Sequence, residues 1–390
     1  MRKPKQNTRL VHDGSHPEDN YGLLNPPVYR ASTVSFATVA AQAEARADAD
    51  NNFVYGRRGT PTSSAFEEAV ANLEGGDKTI AVGSGLAAIA TAMLAFVSAG
   101  DHVLVCDNGY TPTRNLSENF LKRFGVETSY YDPMDSAGVK DHFRPNSKVI
   151  YVEAPGSHTF EVMDVGAIAG AARGAGIKVV MDNTWSAGYF FKPFDFGVDV
   201  AVQAATKYHV GHSDAMLGAV TVTKSDQEVV FASARQLGHH AAPDDAYLGL
   251  RGMRTMSVRM DRHQTNALKV AEWLAGRPQI ERVLHPAMAD CPGHENWKRD
   301  FSGSCGLFGV VLKSAPVEAV HALIDQLELF GLGGSWGGYE SLVLPTNVTR
   351  SASAAPGPGP MVRFHIGLED PDDLIEDLGA GLDAFTAKLS

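Results

Sequence analysis

Short runs of β-branched and other apolar residues alternate with helical or loop stretches from Lys78 onwards. The runs are KTIAVGS, HVLVCD, ETSYYD, KVIYVE, IKVVMD, VDVAVQAA and LGAVTVT. Strands that alternate with helices are typical of a mostly parallel sheet, because each crossover helix returns the chain to the same edge. The sequence therefore predicts an α/β fold built on a mostly parallel seven-stranded sheet.

The two ends of the chain differ from this central pattern. Residues 1–60 are rich in Asn, Pro, Ala and polar side chains, with one helical stretch at Thr38–Asp50 and little sign of strands. After Arg254 a long helical stretch precedes shorter strands such as Gly306–Lys313, and a helical pattern closes the chain at Pro371–Leu389. We expect an N-terminal arm over 1–60, a main domain over 61–255 and a smaller C-terminal α/β domain over 256–390.

Composition and charge exclude several classes of function. The formal net charge is -11 and no basic stripe is present, which argues against a nucleic-acid or membrane partner. Cys106, Cys291 and Cys305 have neither disulfide-framework nor zinc-site spacing, which favours a reducing compartment. The basic start MRKPKQNTRL has no apolar segment behind it, and no run of about 18 apolar residues follows. These features predict a cytoplasmic protein.

Lys207 is the most informative single residue. The strand-like run VDVAVQAA leads directly into Thr206 and Lys207, so the lysine leaves the carboxyl end of a strand, where open α/β sheets bind ligands. A lysine after a strand is more often a solvated surface residue. On this signal alone, both interpretations stay open.

Two other strand ends carry candidate ligand groups. Asp182 ends the run IKVVMD and is either a helix cap or a charged partner for a bound ring nitrogen. Gly83, Ser84 and Gly85 lie between a strand and a helix, where backbone N–H groups can bind a phosphate. Glycine turns of this kind are common, so the signal is weak by itself.

The residues together resemble the Cys/Met-metabolism family of pyridoxal-phosphate-dependent enzymes, and in particular its bacterial cystathionine β-lyases. The segments that carry the resemblance extend over nearly the whole chain. They are YGRRGTPT, LEGGDKTIAVGSGLAA, GDHVLV with Tyr110, VMDNTWSAGYFFKPFDFGVDVAVQAATKYHVGHSDAMLGA, AYLGLRGMRT, GHENWKRDFSGSCGLF, SWGGYESL and VRFHIGLEDPDDLIEDL. The resemblance implies the aspartate-aminotransferase-like fold (fold-type I) of pyridoxal-phosphate-dependent transferases, with pyridoxal 5'-phosphate as cofactor.

The resemblance also implies the residues that hold the cofactor. Lys207 would form the imine with the cofactor aldehyde, since a primary amine is needed for that bond and can later carry protons. Asp182 would pair with the ring nitrogen, and Tyr110 would stack on the ring. The phosphate would be bound by five residues, two of them from a neighbouring subunit. These are Gly85, Leu86 and Thr206, with Tyr55 and Arg57 from the neighbour, although YGRRG alone is typical of a solvated turn.

On the substrate side, the resemblance implies that Arg363 binds the α-carboxylate, helped by Ser335 next to Trp336. Tyr247 and Arg58 are further candidates for the distal side of the substrate. No metal is expected, because His209 and His212 lie in a loop without a matching ligand set. The implied partner is a small amino-acid substrate, bound by a homotetramer made of dimers that share active sites.

Local departures from the family pattern indicate which reaction is catalysed. SWGGYESL with Trp336, and Ser157 in EAPGSHT where γ-acting members tend to have Asn, favour a β-lyase. Thr-Pro-Thr, not Gly-Cys, follows Tyr110, unlike methionine γ-lyases, and Ala204 stands where synthases and γ-lyases often have Ser. We therefore expect cleavage of L-cystathionine to homocysteine, pyruvate and ammonia, a step of methionine biosynthesis.

Other functions stay open at this level. A cystathionine γ-lyase, or a broad cysteine or cystine desulfhydrase, would share all the cofactor residues. A catalytically inactive regulatory relative would retain the fold, although Lys207, Asp182, Tyr110 and Arg363 are all present. The products formed from L-cystathionine discriminate between these possibilities.

Overall fold

The computed structural model of the chain describes residues 4–389. The ends of the predicted arm and C-terminal domain, residues 1–3 and 390, lie outside the described residues. The structure is built around two sheets, one of seven strands and one of five. Within the described residues, no helix has the length and apolar character needed to cross a membrane.

The larger sheet matches the seven predicted strands. Its strands are β1 Lys78–Val82, β2 His102–Cys106, β3 Glu127–Tyr131, β4 Ser147–Glu153, β5 Lys178–Asp182, β6 Val200–Gln203 and β7 Gly218–Val222. Their order across the sheet is β1-β7-β6-β5-β4-β2-β3, and only β7 runs antiparallel to its neighbours. The prediction of a mostly parallel seven-stranded α/β sheet is therefore confirmed.

The middle strands are apolar on both faces because helices cover the sheet on both sides. Val149, Ile150, Tyr151 and Val152 of β4 are all completely buried, as is usual for a central parallel strand. Adjacent parallel strands end together, and the register places Glu153 of β4 beside Asp182 of β5. This edge is where the chemistry of the site collects.

The smaller sheet comes from the C-terminal third of the chain. Its strands are β8 Ile280–Leu284, β9 Leu307–Leu312, β10 Gly331–Leu332, β11 Leu342–Thr346 and β12 Met361–His365. Their order is β10-β11-β12-β9-β8, with only the β10–β11 pair parallel. β12 lies in the middle of this sheet, and so its side chains are held firmly.

Helices pack on both sheets and join them. They are α1 Gln6–His12, α2 Val39–Ala47, α3 Pro61–Glu74, α4 Gly85–Leu94, α5 Thr111–Asn115, α6 Val165–Gly174, α7 Gln227–Gln236, α8 Pro243–Met253, α9 Met256–Ala275, α10 His294–Asp300, α11 Val317–Gln326 and α12 Pro371–Ala387. The first buried turns of α9, at Met256 and Met260, join the core of the large sheet, whereas Ala267 and Leu274 join the core of the small sheet. α9 therefore ties the two cores together.

Candidate active site

A cavity of about 490 Å³ lies at the carboxyl ends of β4, β5 and β6. The other wall comes from residues 334–336 and from β12. The structure brings together here many of the residues singled out in the sequence. They are Gly85, Leu86, Tyr110, Asp182, Thr206, Lys207, Ser335, Trp336 and Arg363.

Lys207 follows β6 in a tight turn, in which its N–H donates to the carbonyl of Ala204 at 3.0 Å. Its Nζ donates to Oγ of Ser335 at 2.8 Å and lies 5.3 Å from the ring centre of Trp336. Burial lowers the pKa of Lys207 to about 8, and the nearby positive charge of Arg363 acts in the same direction. A lysine of this kind is neutral often enough near neutral pH to act as a nucleophile and a base.

Asp182 faces the cavity from the end of β5 and is 8% exposed. Its Oδ1 accepts the N–H of Thr184 at 2.9 Å, and its Oδ2 lies 3.4 Å from the hydroxyl of Tyr151. Burial raises the pKa of Asp182, while these hydrogen bonds oppose the rise. A buried carboxylate without a cation is costly, so this position favours a positively charged ligand group.

Glu153 is a second buried carboxyl at the same strand ends, and it is not among the site residues predicted from the sequence. Its Oε2 accepts the backbone N–H of Tyr110 at 2.7 Å and lies 3.4 Å from the Tyr151 hydroxyl. Burial and the neighbouring Asp182 raise the pKa of Glu153 well above its usual value. The acid that ends KVIYVE, one strand away from the acid that ends IKVVMD, is the signal that could have revealed it.

The first turn of α4 opens onto the cavity. The Ser84 side chain caps this helix by accepting the N–H of Ala87 at 3.1 Å, while Gly85 and Leu86 line the cavity. A Cβ at Gly85 would lie 2.5 Å from Cβ of Ala204, so only glycine lets the helix approach the turn before Lys207 so closely. Free N–H groups at a helix start suit an anion such as phosphate.

The hydroxyl of Thr206 has partners of its own in this structure. It donates to the carbonyl of Leu217 at 3.0 Å and accepts the N–H of the same residue at 2.9 Å. Thr206 therefore closes the turn that presents Lys207, and its hydroxyl proton must turn away from Leu217 to reach a phosphate.

Tyr110 and Arg363 lie on the other side of the cavity. Burial raises the pKa of Tyr110, with Asp182 and Glu153 adding to the rise, so its phenol remains protonated. Arg363 is 7% exposed, and burial lowers its pKa to about 10, which leaves it charged at neutral pH. The cavity thus offers a guanidinium, a lysine amine and a phenol near two buried carboxyls.

Four of the residues that were singled out lie elsewhere in the chain. Tyr55, Arg57 and Arg58 line a separate cavity of about 330 Å³ with Arg235. In it Arg57 donates to the carbonyl of Arg235 at 2.9 Å, and Arg58 pairs with Asp50 at 3.1 Å. Tyr247 lies on α8, outside the residues that line either cavity.

The structure also places two residues after β4 at the cavity. Ser157 and His158 line it, and burial lowers the pKa of His158 to about 4, so this ring is neutral. His209, in contrast, is buried under α3 against Phe66, while Nδ1 of His212 lies 2.7 Å from the carbonyl of Val210. Among residues 4–389, no group of three or more His, Cys, Asp or Glu side chains has the arrangement of a metal site.

Comparison with known proteins places the whole chain in one group. Residues 7–383 match the sequence model of a family described as Cys/Met metabolism PLP-dependent enzyme. The chain is 47% identical over 386 residues to the putative cystathionine β-lyase of Rhizobium johnstonii, covering 98% of this chain and 96% of that protein.

Two further relatives agree with this match. The chain is 44% identical over 390 residues to the cystathionine β-lyase MetC of Escherichia coli, with coverage of 98% and 99%. The crystal structure of metB from Corynebacterium glutamicum has a TM-score of 0.90 and 32% identity, and the match covers 98% of both chains. These similarities extend over nearly the whole chain, and so they include both sheets and the cavity.

Proposed function

The chain belongs to the Cys/Met-metabolism family of pyridoxal-phosphate-dependent enzymes, and on this basis we propose that it is a carbon–sulfur β-lyase. Its proposed reaction is cleavage of L-cystathionine to homocysteine, pyruvate and ammonia. One observation carries the proposal. Lys207, Asp182, Tyr110 and Arg363 meet in one cavity of a chain that resembles cystathionine β-lyases over almost its full length.

The residues of the cavity fit the cofactor. Asp182 and Glu153 are buried on adjacent strands, and neither forms an ion pair with any side chain in the described part of the chain. A protonated ring nitrogen would balance this negative charge. The helix start at Gly85 suits the phosphate, and the amine of Lys207 suits the aldehyde. We therefore assign these groups to the cofactor.

When bound, pyridoxal phosphate supplies an aldehyde that captures amines and a ring that accepts electrons. The protein has to hold the substrate and move its protons. Arg363 binds the α-carboxylate, since a guanidinium forms two parallel hydrogen bonds with such a group. This contact orients the Cα–H bond of the substrate toward Lys207.

Lys207 carries the proton in this proposal. A pKa of about 8 leaves part of the amine neutral at neutral pH, so Nζ can take the proton from Cα. Ser335 Oγ, 2.8 Å away, keeps Nζ at the same side of the cavity. The departing homocysteine thiolate then takes a proton from Lys207 or from the phenol of Tyr110, whose raised pKa keeps that proton in place until it is needed.

Cleavage at Cβ follows directly from removal of the Cα proton, whereas cleavage at Cγ requires a second proton to be taken from Cβ. Ser157, in place of the Asn common in γ-acting members, and Trp336 both line the cavity. They support the β assignment over that of a γ-lyase or of a broad cysteine desulfhydrase.

The proposal is tested by incubating the loaded protein with L-cystathionine and identifying the keto acid and the thiol. Pyruvate with homocysteine supports the β-lyase. 2-Oxobutyrate with cysteine would instead make the protein a γ-lyase. A protein that shows no visible absorbance after incubation with the cofactor would lose the enzyme assignment altogether.

We also propose that Tyr55 and Arg57 complete the site of a neighbouring subunit, in a homotetramer assembled from two such dimers. In their own chain both lie at the separate cavity. The arm also leaves large apolar side chains in solvent, among them Tyr21, 96% exposed, and Leu24, 78% exposed, which a partner could cover.

Mixing two inactive variants tests this shared site. Arg57→Ala weakens phosphate binding and Lys207→Ala removes the reactive amine. In mixed dimers one site of two regains both residues, so random mixing restores about a quarter of wild-type activity. No recovery on mixing would mean that each subunit uses its own Arg57. Size measurement by light scattering tests the tetramer separately.

The three cysteines support a location of the enzyme in the cytoplasm. Cys106, Cys291 and Cys305 are free and buried. Free thiols are usual in a reducing compartment. We propose that the enzyme works in the cytoplasm as part of methionine biosynthesis, which the location of a tagged chain in cell fractions would test.

A further inference from the structure

The loop 334–338, which we term the lysine loop, is held at both ends by one strand. β12 places Arg363 and His365 on the same face, because side chains two residues apart in a strand point the same way. Nη2 of Arg363 donates to the carbonyls of Gly334 at 3.2 Å and Ser335 at 3.1 Å. At the other end, Nε2 of His365 lies 3.1 Å from the backbone nitrogen of Gly337.

Between these two anchors the lysine loop lies against Lys207. Ser335 accepts a hydrogen bond from Nζ, and the Trp336 ring covers the same atom at 5.3 Å. Gly337 has a φ of +84°, and a Cβ there would lie 3.0 Å from Cβ of Lys207. The loop therefore contacts Lys207 along its whole length, from the backbone to Nζ. Gly337 lies where the two chain segments approach most closely.

His365 is held in one orientation by the groups around it. It is 1% exposed and packs against Tyr208 and His263, with ring centres 6.1 and 5.1 Å away. Burial keeps its pKa well below the usual value for histidine, so the ring is neutral. Nε2 of His365 lies 3.1 Å from the backbone nitrogen of Gly337 and 3.2 Å from the carbonyl oxygen of Gly338. It accepts from the first or donates to the second according to the tautomer, and in either case it bonds the far end of the lysine loop.

We propose that His365 is a positioning residue, which fixes the far end of the lysine loop so that Ser335 and Arg363 meet the substrate together with Lys207. The inference rests on the proposed function, since it assumes that Arg363 receives an α-carboxylate. Arg363 holds the near end of the loop through Nη2, and a bound carboxylate competes for the same guanidinium. With His365 in place, the loop keeps its position while Arg363 turns to the substrate.

The role of His365 is distinct from that of the cofactor groups. Asp182 ends β5 of the large sheet, Gly85 begins α4 and Thr206 lies in the turn after β6. The lysine loop connects β10 to β11, and its anchors lie on β12 of the small sheet. Loss of the His365 anchor should therefore weaken binding of the amino acid and leave binding of the cofactor unchanged. Substitution of a residue that merely supports the fold would weaken binding of the amino acid and of the cofactor alike.

The test compares His365→Phe with His263→Phe. Both substitutions place a benzene ring in the same buried cluster, but His263 bonds the carbonyl of Ile366 and not the lysine loop. Each loaded variant is titrated with glycine, which has the carboxylate and the amine but no group to eliminate, and the change in visible absorbance gives the Kd. Cofactor affinity is measured separately by titrating the cofactor-free protein.

We expect His365→Phe to weaken glycine binding about ten-fold, the effect of losing a buried hydrogen bond, with cofactor affinity within about two-fold of wild type. KM for the substrate should rise more than kcat falls. His365→Gln, whose side-chain oxygen can accept the N–H of Gly337, should recover most of the loss. His263→Phe should bind glycine as the wild type does.

Equal weakening by His263→Phe and His365→Phe would overturn the inference, as would unchanged glycine binding in the latter. If His365→Phe does not fold, His365→Leu, whose side chain likewise has no group that can bond Gly337, takes its place, and the same selective loss is expected. Failure of the proposed function would look different. A wild-type protein that binds glycine but does not cleave L-cystathionine refutes the substrate assignment, and the loop test still stands.

Discussion

Two partly buried lysines in this protein have similarly lowered pKa values but different surroundings. Burial lowers the pKa of both Lys207 and Lys192. Nζ of Lys207 has one hydroxyl acceptor, from Ser335, and faces a cavity of about 490 Å³. Nζ of Lys192 donates to the carbonyls of Leu73 and Gly188 and has the carboxyl of Glu74 nearby.

The carboxyl near each lysine, Glu74 for Lys192 and Asp182 for Lys207, also differs in its surroundings. Glu74 is completely buried and accepts hydrogen bonds from Asn183, at 2.8 Å, and from Gln203. Asp182 also accepts from two groups, the N–H of Thr184 at 2.9 Å and the hydroxyl of Tyr151 at the longer distance of 3.4 Å, but it opens onto the cavity. A shifted pKa therefore does not identify a functional lysine. Both lysines line a cavity, of about 240 Å³ for Lys192 and about 490 Å³ for Lys207. What separates the two regions is that Nζ of Lys192 has two carbonyl acceptors and the Glu74 carboxyl nearby, whereas Lys207 and Asp182 face the larger cavity together.

The largest expected difference between the two regions is in turnover. Lys207→Ala should abolish the visible absorbance of the loaded protein and lower turnover by about a thousand-fold or more. Lys192→Ala should retain both in whatever fraction stays folded. Absorbance spectra and turnover per folded molecule check this. Full activity of Lys207→Ala would show that Lys207 is not the lysine that binds the cofactor.

The next effect concerns the two carboxyls. Asp182→Asn keeps the size of the side chain but removes the charge proposed to hold the ring nitrogen protonated, so kcat should fall by about a hundred-fold. Glu74→Gln is the matched control and should leave kcat nearly unchanged. Steady-state rates at saturating substrate decide between them. An equal loss in both variants would mean that Asp182 acts only through the fold.

Stability should change in opposite directions when each lysine becomes methionine. Lys192→Met leaves the carbonyls of Leu73 and Gly188 without a donor and should destabilise the protein by about 2 kcal/mol. Lys207→Met removes a partly buried charge whose only acceptor among the described residues is one hydroxyl, so the cofactor-free protein should gain about 2 kcal/mol at pH 7. Urea unfolding measures both. Destabilisation by Lys207→Met would contradict the account.

The smallest effect is the pH dependence of the extra free energy of unfolding that Lys207→Met should have over the wild type. At pH 7 Lys207 is mostly charged in the folded state and charged in the unfolded state, so the folded state bears nearly the full cost of burying the charge. Between the folded pKa of about 8 and the usual value of 10.5, the unfolded chain binds more protons, and wild-type stability rises. The advantage of Lys207→Met should shrink across this range. Unfolding at several pH values checks it, and a constant gap would show that charge is not the cause.

The sequence predicts much of the large sheet because its signals are local. All seven strands appear as short apolar runs; Asp182 ends one of them, and Lys207 lies in the turn that follows another. Helix ends are less well predicted. The apolar run Leu86–Val97 extends three residues beyond the helix Gly85–Leu94. The helical stretch predicted at Thr38–Asp50 gives a helix at Val39–Ala47. Capping by Ser84 and Thr38 determines where these helices start.

The small sheet and the lysine loop could not be predicted in the same way. β10 has only two residues, and β11 contains Pro345, so neither gives a clear strand signal. The contact between Lys207 and Ser335 joins residues 128 positions apart, and no local pattern encodes such a distance. The roles of Arg363 and Ser335 rest on the family resemblance. Glu153 has a sequence signal in its place at the end of a strand, whereas the contact of His365 with the lysine loop is visible only in the tertiary structure.

The most direct test of the account asks which lysine carries the cofactor. The loaded protein is reduced with borohydride, which fixes the cofactor to its lysine, then digested, and the labelled peptide is identified by mass spectrometry. The account predicts a label on Lys207 alone, in the peptide that contains Thr206 and Tyr208. A label on Lys192 or on any other lysine would contradict it.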